Sequence, residues 1–390
     1  MSPADAACEP SSGAARRIAP AGISVAAVGV LYGYDLSTFA GALRDLTAEF
    51  GLSTRQQQMV TAAVVIGEVA GAVGGVRLAD TIGRKRATVL ATAGYAAFAA
   101  ISAAAVSLPL LLVARLLVGL AIGVSLTVVP VFLAECAPAR VRGALLVASQ
   151  LTTTVGIIAG YLAASLLAGS HSWRWSLGLA AVPALLILPA LLPIPDTARW
   201  YLLTGRPALA RRALAVLDPA ADIEAGLAEI SLALAEERGG GCAEMLRPPT
   251  RRATVFVLGL GFVAHLTGIN AIIYYSTQLF GALGFTGNAA LLALPALIQV
   301  AGLAAAGAAL LLVDRVGRRP ILLSGAATIV TADVVVAGAF VAGAAALGAF
   351  GVLLFVAGFS VGFGAIVGVY AGECFPARLR AAGVGGDAHR

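Results

Sequence analysis

The sequence predicts an all-α multi-pass membrane protein of two repeated halves, with about ten transmembrane helices. Three observations predict it. The 390 residues are 59% hydrophobic and only 12% charged, with mean hydropathy +0.93, whereas a soluble domain carries about 25% charge. Apolar runs of about 20 residues recur along the chain, each long enough to cross ~30 Å of hydrocarbon. Two charged turns also occur twice. Leu78-Ala-Asp-Thr-Ile-Gly-Arg-Lys-Arg86 returns as Leu312-Val-Asp-Arg-Val-Gly-Arg-Arg-Pro320, and Glu135-Cys-Ala-Pro-Ala-Arg-Val-Arg142 returns as Glu373-Cys-Phe-Pro-Ala-Arg-Leu-Arg380. The separations, Asp80 to Asp314 and Glu135 to Glu373, are 234 and 238 residues, which marks a duplicated unit.

Taken in order, residues 1–17 are rich in Pro, Ser and Ala and read as a disordered cytoplasmic tail. The apolar run that follows is too long for a signal peptide and carries Asp35, so it reads as an uncleaved first span. Spans are expected at 18–43, 56–79, 87–106, 109–134, 141–168 and 173–193, completing a six-helix half over 18–194. The polar insert 195–250 has apolar residues at helical spacing opposite acids, as in Ile223–Glu237, and predicts short amphipathic helices. Spans at 252–283, 287–313, 320–342 and 346–373 follow, so the half over 251–390 holds four helices and lacks the last two of its predecessor.

Assigning the connections alternately to two sides puts Arg16, Arg17, Arg77, Arg84, Lys85, Arg86, Arg140, Arg142, the arginines of 199–252, Arg315, Arg318, Arg319, Arg378, Arg380 and Arg390 on one side. Arg44, Arg55 and Arg174 fall on the other. The positive-inside rule then places the amino terminus and both Asp-x-x-Gly-Arg turns in the cytoplasm, and a multi-pass protein of the cell (inner) membrane is expected. The formal charge of +6 is therefore a membrane-orientation signal and not a nucleic-acid surface. Cys8, Cys136, Cys242 and Cys374 are far apart and lie in or beside the same basic segments, so no disulfide framework or metal site is expected. No nucleophile–base pair or phosphate-cradling loop is present, and an enzyme is not predicted.

Several side chains carry chemistry. Asp35 lies deep in an apolar span, where a charged group costs at least about 2.5–3.5 kcal/mol unless it is paired, protonated or wet. Arg115 of span four is the available partner. Asp80, Arg84, Glu135, Arg142, Asp314, Arg318, Glu373 and Arg380 sit at span ends. They read either as orienting charges or as salt bridges that close the cytoplasmic side and break as the halves rock. Gln150, His265, Asn270, Tyr274 and Tyr275 offer neutral donors and acceptors suited to a polyol, or alternatively polar glue between helices. Asn270 and Tyr274 are spaced to share a helix face. Glu68 and Asp333 are further mid-span acids for which a packing role is the simpler reading.

The ordered set Gly33-Tyr34-Asp35, Asp80-x-x-Gly83-Arg84-Lys85, Arg115, Glu135-x-x-Pro138-x-x-x-Arg142-Gly143, Gln150, Pro195-Asp-Thr-Ala-Arg199-Trp200, Thr267-Gly-Ile-Asn270, Tyr274-Tyr275, Asp314-x-x-Gly317-Arg318-Arg319 and Glu373-x-x-Pro376 resembles the sugar porter family of the major facilitator superfamily. In that family the paired glutamines before Thr-Gly-Ile-Asn stand where this chain has Ala264 and His265, and Gly364-Ala-Ile-Val-Gly368 replaces an aromatic motif. The resemblance implies a secondary transporter of a sugar or similar small polar solute. It would work by alternating access, with Asp35 as the proton-coupling group and the proton as the only coupling ion. Its partners are then the lipid bilayer and the solute, with no cofactor and no obligate protein partner. A truncated, non-transporting membrane protein or solute sensor is the contrasting expectation.

Overall fold

In a computed structural model the chain is described over residues 22–136, 139–167, 172–217, 222–237 and 250–364. These residues are helices joined by short turns. The first half comprises α1 (Gly29–Phe50, preceded by a helical stretch over 22–26), α2 (Thr54–Ile82), α3 (Arg84–Ala103), α4 (Leu108–Cys136), α5 (Ala139–Leu167), and a sixth span in two pieces, α6 (Ser172–Leu179) and α7 (Ala181–Leu191). Three short helices follow: α8 (Ala198–Leu203), α9 (Pro207–Leu217) and α10 (Ile223–Glu237). They share a small core of Ala198, Ala210, Ala213 and Leu227. The second half comprises α11 (Thr250–Leu266), α12 (Ile269–Tyr274), α13 (Ser276–Ala282), α14 (Asn288–Val316), α15 (Arg318–Ala342) and α16 (Ala345–Phe359), the last passing into a π turn over Ser360–Gly364.

Nine helical stretches among the described residues are long and apolar enough to cross a membrane. The alanine-rich α3 is outside that count, but it must cross too. α2 ends and α4 begins at opposite ends of α3, whose 20 residues rise about 30 Å, enough to cross the hydrocarbon.

Two helix pairs are meshed by missing side chains. A Cβ on Gly67 or Gly71 would run into the Leu116 and Leu120 carbonyls of α4, and one on Gly119 or Gly123 into the Val64 and Glu68 carbonyls of α2. On the other pair, a Cβ at Gly33 would strike the Thr153 carbonyl, and one at Gly156 the Val30 carbonyl. Small residues one turn apart let parallel helices approach backbone to backbone, where packing, not hydrophobicity, drives association in lipid.

The duplication is visible in the backbone. Gly83 ends α2 and opens α3 with φ 102° and ψ 155°, and Gly317 joins α14 to α15 with φ 92° and ψ 156°. Only glycine adopts such angles readily, so the Asp-x-x-Gly-Arg motif is the sequence trace of one turn used twice.

The spans depart from the apolar runs in two places. α1 continues past 43 to Phe50 because Leu43 and Leu46 still bury, and it stops where Gly51 turns left-handed at φ 61°. Ser53 and Gln56 then form a capping box that starts α2. The seventh span, expected as one helix over 252–283, is broken into α11, α12 and α13, with Gly268 at φ 86° in the first break. The predicted tail 1–17, the end of the tenth span and the turn at Glu373 and Arg380 lie outside the described residues.

Candidate functional site: a buried ion pair between two latches

The site begins with α1. Gly33 allows α5 to come close, and the hydroxyls of Ser37 and Thr38 return to the carbonyls of Gly33 and Tyr34. Asp35 is thereby carried into the bundle at 2% exposure. Arg115 of α4, 1% exposed, donates from Nη1 to Asp35 Oδ1 at 2.7 Å and from Nη2 to Oδ2 at 3.0 Å. Such a fork-to-fork pair is the strongest neutralising geometry available to a buried carboxylate. The guanidinium carbon also stands 4.3 Å from the Phe39 ring centroid.

Phe39 joins this pair to the other half of the molecule. Its ring meets that of Tyr274 edge to face, with centroids 6.0 Å apart. One turn earlier on α12, the Asn270 amide donates to the Tyr32 hydroxyl at 3.3 Å. Asn270 and Tyr274 thus both face α1. The Tyr274 hydroxyl is buried without a hydrogen-bond partner, and Tyr275 is half-buried at the break between α12 and α13. Gln150 and His265 are exposed. No hydrogen bond joins either to Asn270 or Tyr274 among the described residues, so the five solute candidates divide into a packed pair and outlying members.

The halves are fastened at the end away from the repeated turns. The Tyr161 hydroxyl of α5 donates to the Ile273 carbonyl at 2.8 Å and lies 2.9 Å from the Ser276 hydroxyl. Thr277 donates to the Ala40 carbonyl at 2.9 Å, and Gln278 to the Gln57 side chain at 3.0 Å. On the same end Arg174 pairs with Glu49 at 2.7 Å and donates to the Ala105 carbonyl at 2.8 Å.

At the opposite end a second cluster gathers Asp80, Arg84 and Glu135. Arg84 stands 3.0 Å from Asp80 and 3.2 Å from Glu135. Arg199 lies 3.5 Å from Glu135, and the Thr197 hydroxyl donates to Glu135 at 2.6 Å. The Asp196 carboxylate accepts from the backbone N–H groups of Arg84 at 3.0 Å and Thr197 at 2.9 Å. It occupies the space a side chain at Gly83 would need. The Trp200 indole donates to the Asp80 carbonyl at 2.9 Å. Burial pushes the Asp196 carboxyl above its ordinary range, while the bonds from Thr197, Lys85 and Arg84 pull it back.

This cluster differs from an expected bridge between halves. The acids and Arg84 close onto the first residues after α7, because the segment at 195–200 leaves that helix directly over the ends of α2, α3 and α4. The side chains of Arg142 and Asp314, and all of Glu373 and Arg380, lie outside the described residues, while Arg318 opens α15 after Gly317. Tyr32, Phe39, Tyr161, Asp196 and Thr197 were not singled out as site residues from sequence. Tyr32 directly precedes Gly33-Tyr34-Asp35, and Asp196-Thr197 lie inside the Pro195–Trp200 motif, so the signals were adjacent. Asp333 is exposed on α15, whereas Ala99, the position 234 residues earlier, is buried.

A model of the sugar (and other) transporter family matches residues 21–386. The chain is 31% identical over 367 residues to the galactose-proton symporter of Escherichia coli, covering 92% of this chain and 79% of that protein. It is 31% identical over 365 residues to the glucose transporter GlcP of Staphylococcus epidermidis, covering 92% and 80%. Among solved structures, the partially occluded inward-open xylose transporter XylE of E. coli superposes with a TM-score of 0.82 at 22% identity, over 95% of this chain and 88% of that one. That likeness shows a shared major facilitator fold. With a family model matched along most of its length and relatives above 30% identity, the chain belongs to the sugar (and other) transporter family, a family of carriers and not of enzymes.

Proposed function

We propose that the protein carries a sugar or similar small polar solute across the inner membrane by alternating access, in symport with a proton. Its amino terminus is then cytoplasmic, as the arginine-rich connections require. The observation that supports this most is the Asp35–Arg115 pair, buried mid-bundle and tied through Phe39 and Tyr32 to Tyr274 and Asn270 of the other half.

Protonating Asp35 removes the charge that holds Arg115, so α1 loses its fastening to α4. Because α1 also contacts α12, that change is felt at the junction between the halves. Solute seated against Asn270 and Tyr274 biases the same junction from the other side. Two ligands acting on one two-state element are thermodynamically coupled. The hydrogen bonds of Tyr161, Thr277 and Gln278 then form the outer closure, while the Asp80–Arg84–Glu135 cluster stiffens the cytoplasmic ends of the first half.

Relatives named for galactose, glucose and xylose suggest the test solutes. Purified protein in proteoliposomes is expected to take up protons from the external medium when one of these sugars is added. Saturable exchange with no proton movement contradicts symport. Neither exchange nor proton movement with any of the three contradicts sugar transport.

A further inference from the structure

Glu68 has no part in the mechanism above. It stands mid-span on α2, and its Oε1 is buried without a hydrogen-bond partner. The glycine mesh fixes it there. The Glu68 carbonyl fills the place of a Gly123 side chain, and Gly67 and Gly119 pack as closely on either side. α2 therefore cannot turn this residue away without separating from α4.

From that position Glu68 lies within the electrostatic reach of Asp35 on α1 and Arg115 on α4. Tyr32 of α1 and Tyr274 of α12 feel its charge in turn. Tyr95 of α3 lies within electrostatic reach of the same ion pair and of Tyr34 on α1. The charges in this cluster do not balance. Asp35 occupies both terminal nitrogens of Arg115, so a second carboxylate has no cation of its own among the described residues. Three buried donors in the cluster also lack acceptors: Arg115 Nε and the hydroxyls of Tyr95 and Tyr274. Two acids and one base in a low-dielectric interior reach neutrality by keeping one proton.

We propose that Glu68 is a second proton-binding residue of the Asp35–Arg115 site, protonated while Asp35 is ionised and the counter-ion of Arg115 once Asp35 is protonated. The inference rests on the proton-coupled reading of Asp35. In the exchange the Glu68 O–H bond breaks, an Asp35 O–H bond forms, and the guanidinium passes from one carboxylate to the other. The net charge is unchanged. The cycle closes when Asp35 releases its proton on the far side and Glu68 takes a new one from the external medium. Arg115 is never left uncompensated inside the membrane, and α1 is nonetheless released.

The test needs no transport and no solute. Protein labelled with ¹³C-carboxyl glutamate is placed in lipid vesicles at about pH 8, where free carboxyls are ionised, and the C=O stretch of protonated carboxylic acids is recorded by infrared spectroscopy. The expected result is an isotope-shifted acid band in the unsubstituted protein, which requires no variant to fold. That band should vanish in Glu68→Gln, and also in Asp35→Asn, where Glu68 ionises to hold Arg115. No glutamate acid band, a band that survives Glu68→Gln, or a Glu68 proton that persists in Asp35→Asn overturns the proposal. Failure of proton symport in proteoliposomes leaves these spectra as they are, so the two claims fail separately.

Discussion

Arg115 has its guanidinium shared between a carboxylate and the Phe39 ring, both out of water. Stranding one member of such a pair is far costlier than never having built it, about 3–5 kcal/mol when a partner is deleted. Asp35→Ala is therefore expected to lower the melting temperature of the purified protein sharply. Asp35→Asn keeps the shape and some of the hydrogen bonding and should melt closer to the unsubstituted protein. Equal melting of all three would mean that the pair does not hold the fold. Asn270 makes a single neutral hydrogen bond to Tyr32. Under the proposed function the amide is also offered to the solute, and one neutral hydrogen bond to a sugar hydroxyl contributes about 1 kcal/mol, so Asn270→Ala is expected to raise the half-saturating sugar concentration about fivefold in exchange assays. An unchanged value would place solute recognition elsewhere. The ion pair was legible in the sequence because an Asp and an Arg inside apolar spans have few alternatives. Phe39 was not, since an aromatic in a membrane helix looks the same whether it faces lipid, core or a guanidinium.

Helix packing here depends on which face a glycine occupies. Gly71 and Gly74 belong to the same helix, but only the first lies against α4, where a Cβ would strike the Leu120 carbonyl. Nothing stands within 4 Å of the second. Gly71→Ala should cost about 1–3 kcal/mol as overpacking against backbone. Gly74→Ala should be neutral or stabilise by up to about 1 kcal/mol through helix propensity. Melting temperatures of the two variants, compared side by side, check the assignment; similar losses in both would contradict it. At this scale the sequence was readable where periodicity and turn chemistry were local. Long apolar runs gave the spans, and the twin Gly83 and Gly317 turns gave the repeat. The breaks in the seventh span escaped because α11 to α13 are continuous in hydropathy. What bends them is a left-handed Gly268 and the docking of Ile269, Ile273 and Tyr274 into a core shared with Phe39, Ile157 and Tyr161 of the first half. A tertiary contact of that kind leaves no periodic trace.

For the whole molecule, two fastenings at opposite ends divide the work. Tyr161→Phe removes the hydroxyl that holds Ile273 and Ser276. It is expected to open the outer end, read as faster deuterium labelling of the backbone amides of α12 and α13. Unchanged labelling would mean that the outer closure rests on packing alone. The other end carries a pH signature. The Asp196 carboxyl is raised by burial, so the folded protein holds this proton more readily than the unfolded chain. Ionisation therefore weakens the fold, and stability falls as pH rises from the ordinary carboxylate value through the raised one. Asp196→Asn should flatten the pH dependence of melting in that window; a slope unaltered by the substitution would assign it to another group.

Protonation of Asp35 is the step that couples the proton gradient to sugar movement under the proposed function. It is tested most directly by comparing two fluxes in Asp35→Asn proteoliposomes: sugar accumulation driven by an imposed proton gradient, and sugar counterflow with no gradient. The predicted result is loss of accumulation with counterflow retained. Accumulation at the level of the unsubstituted protein would contradict the account.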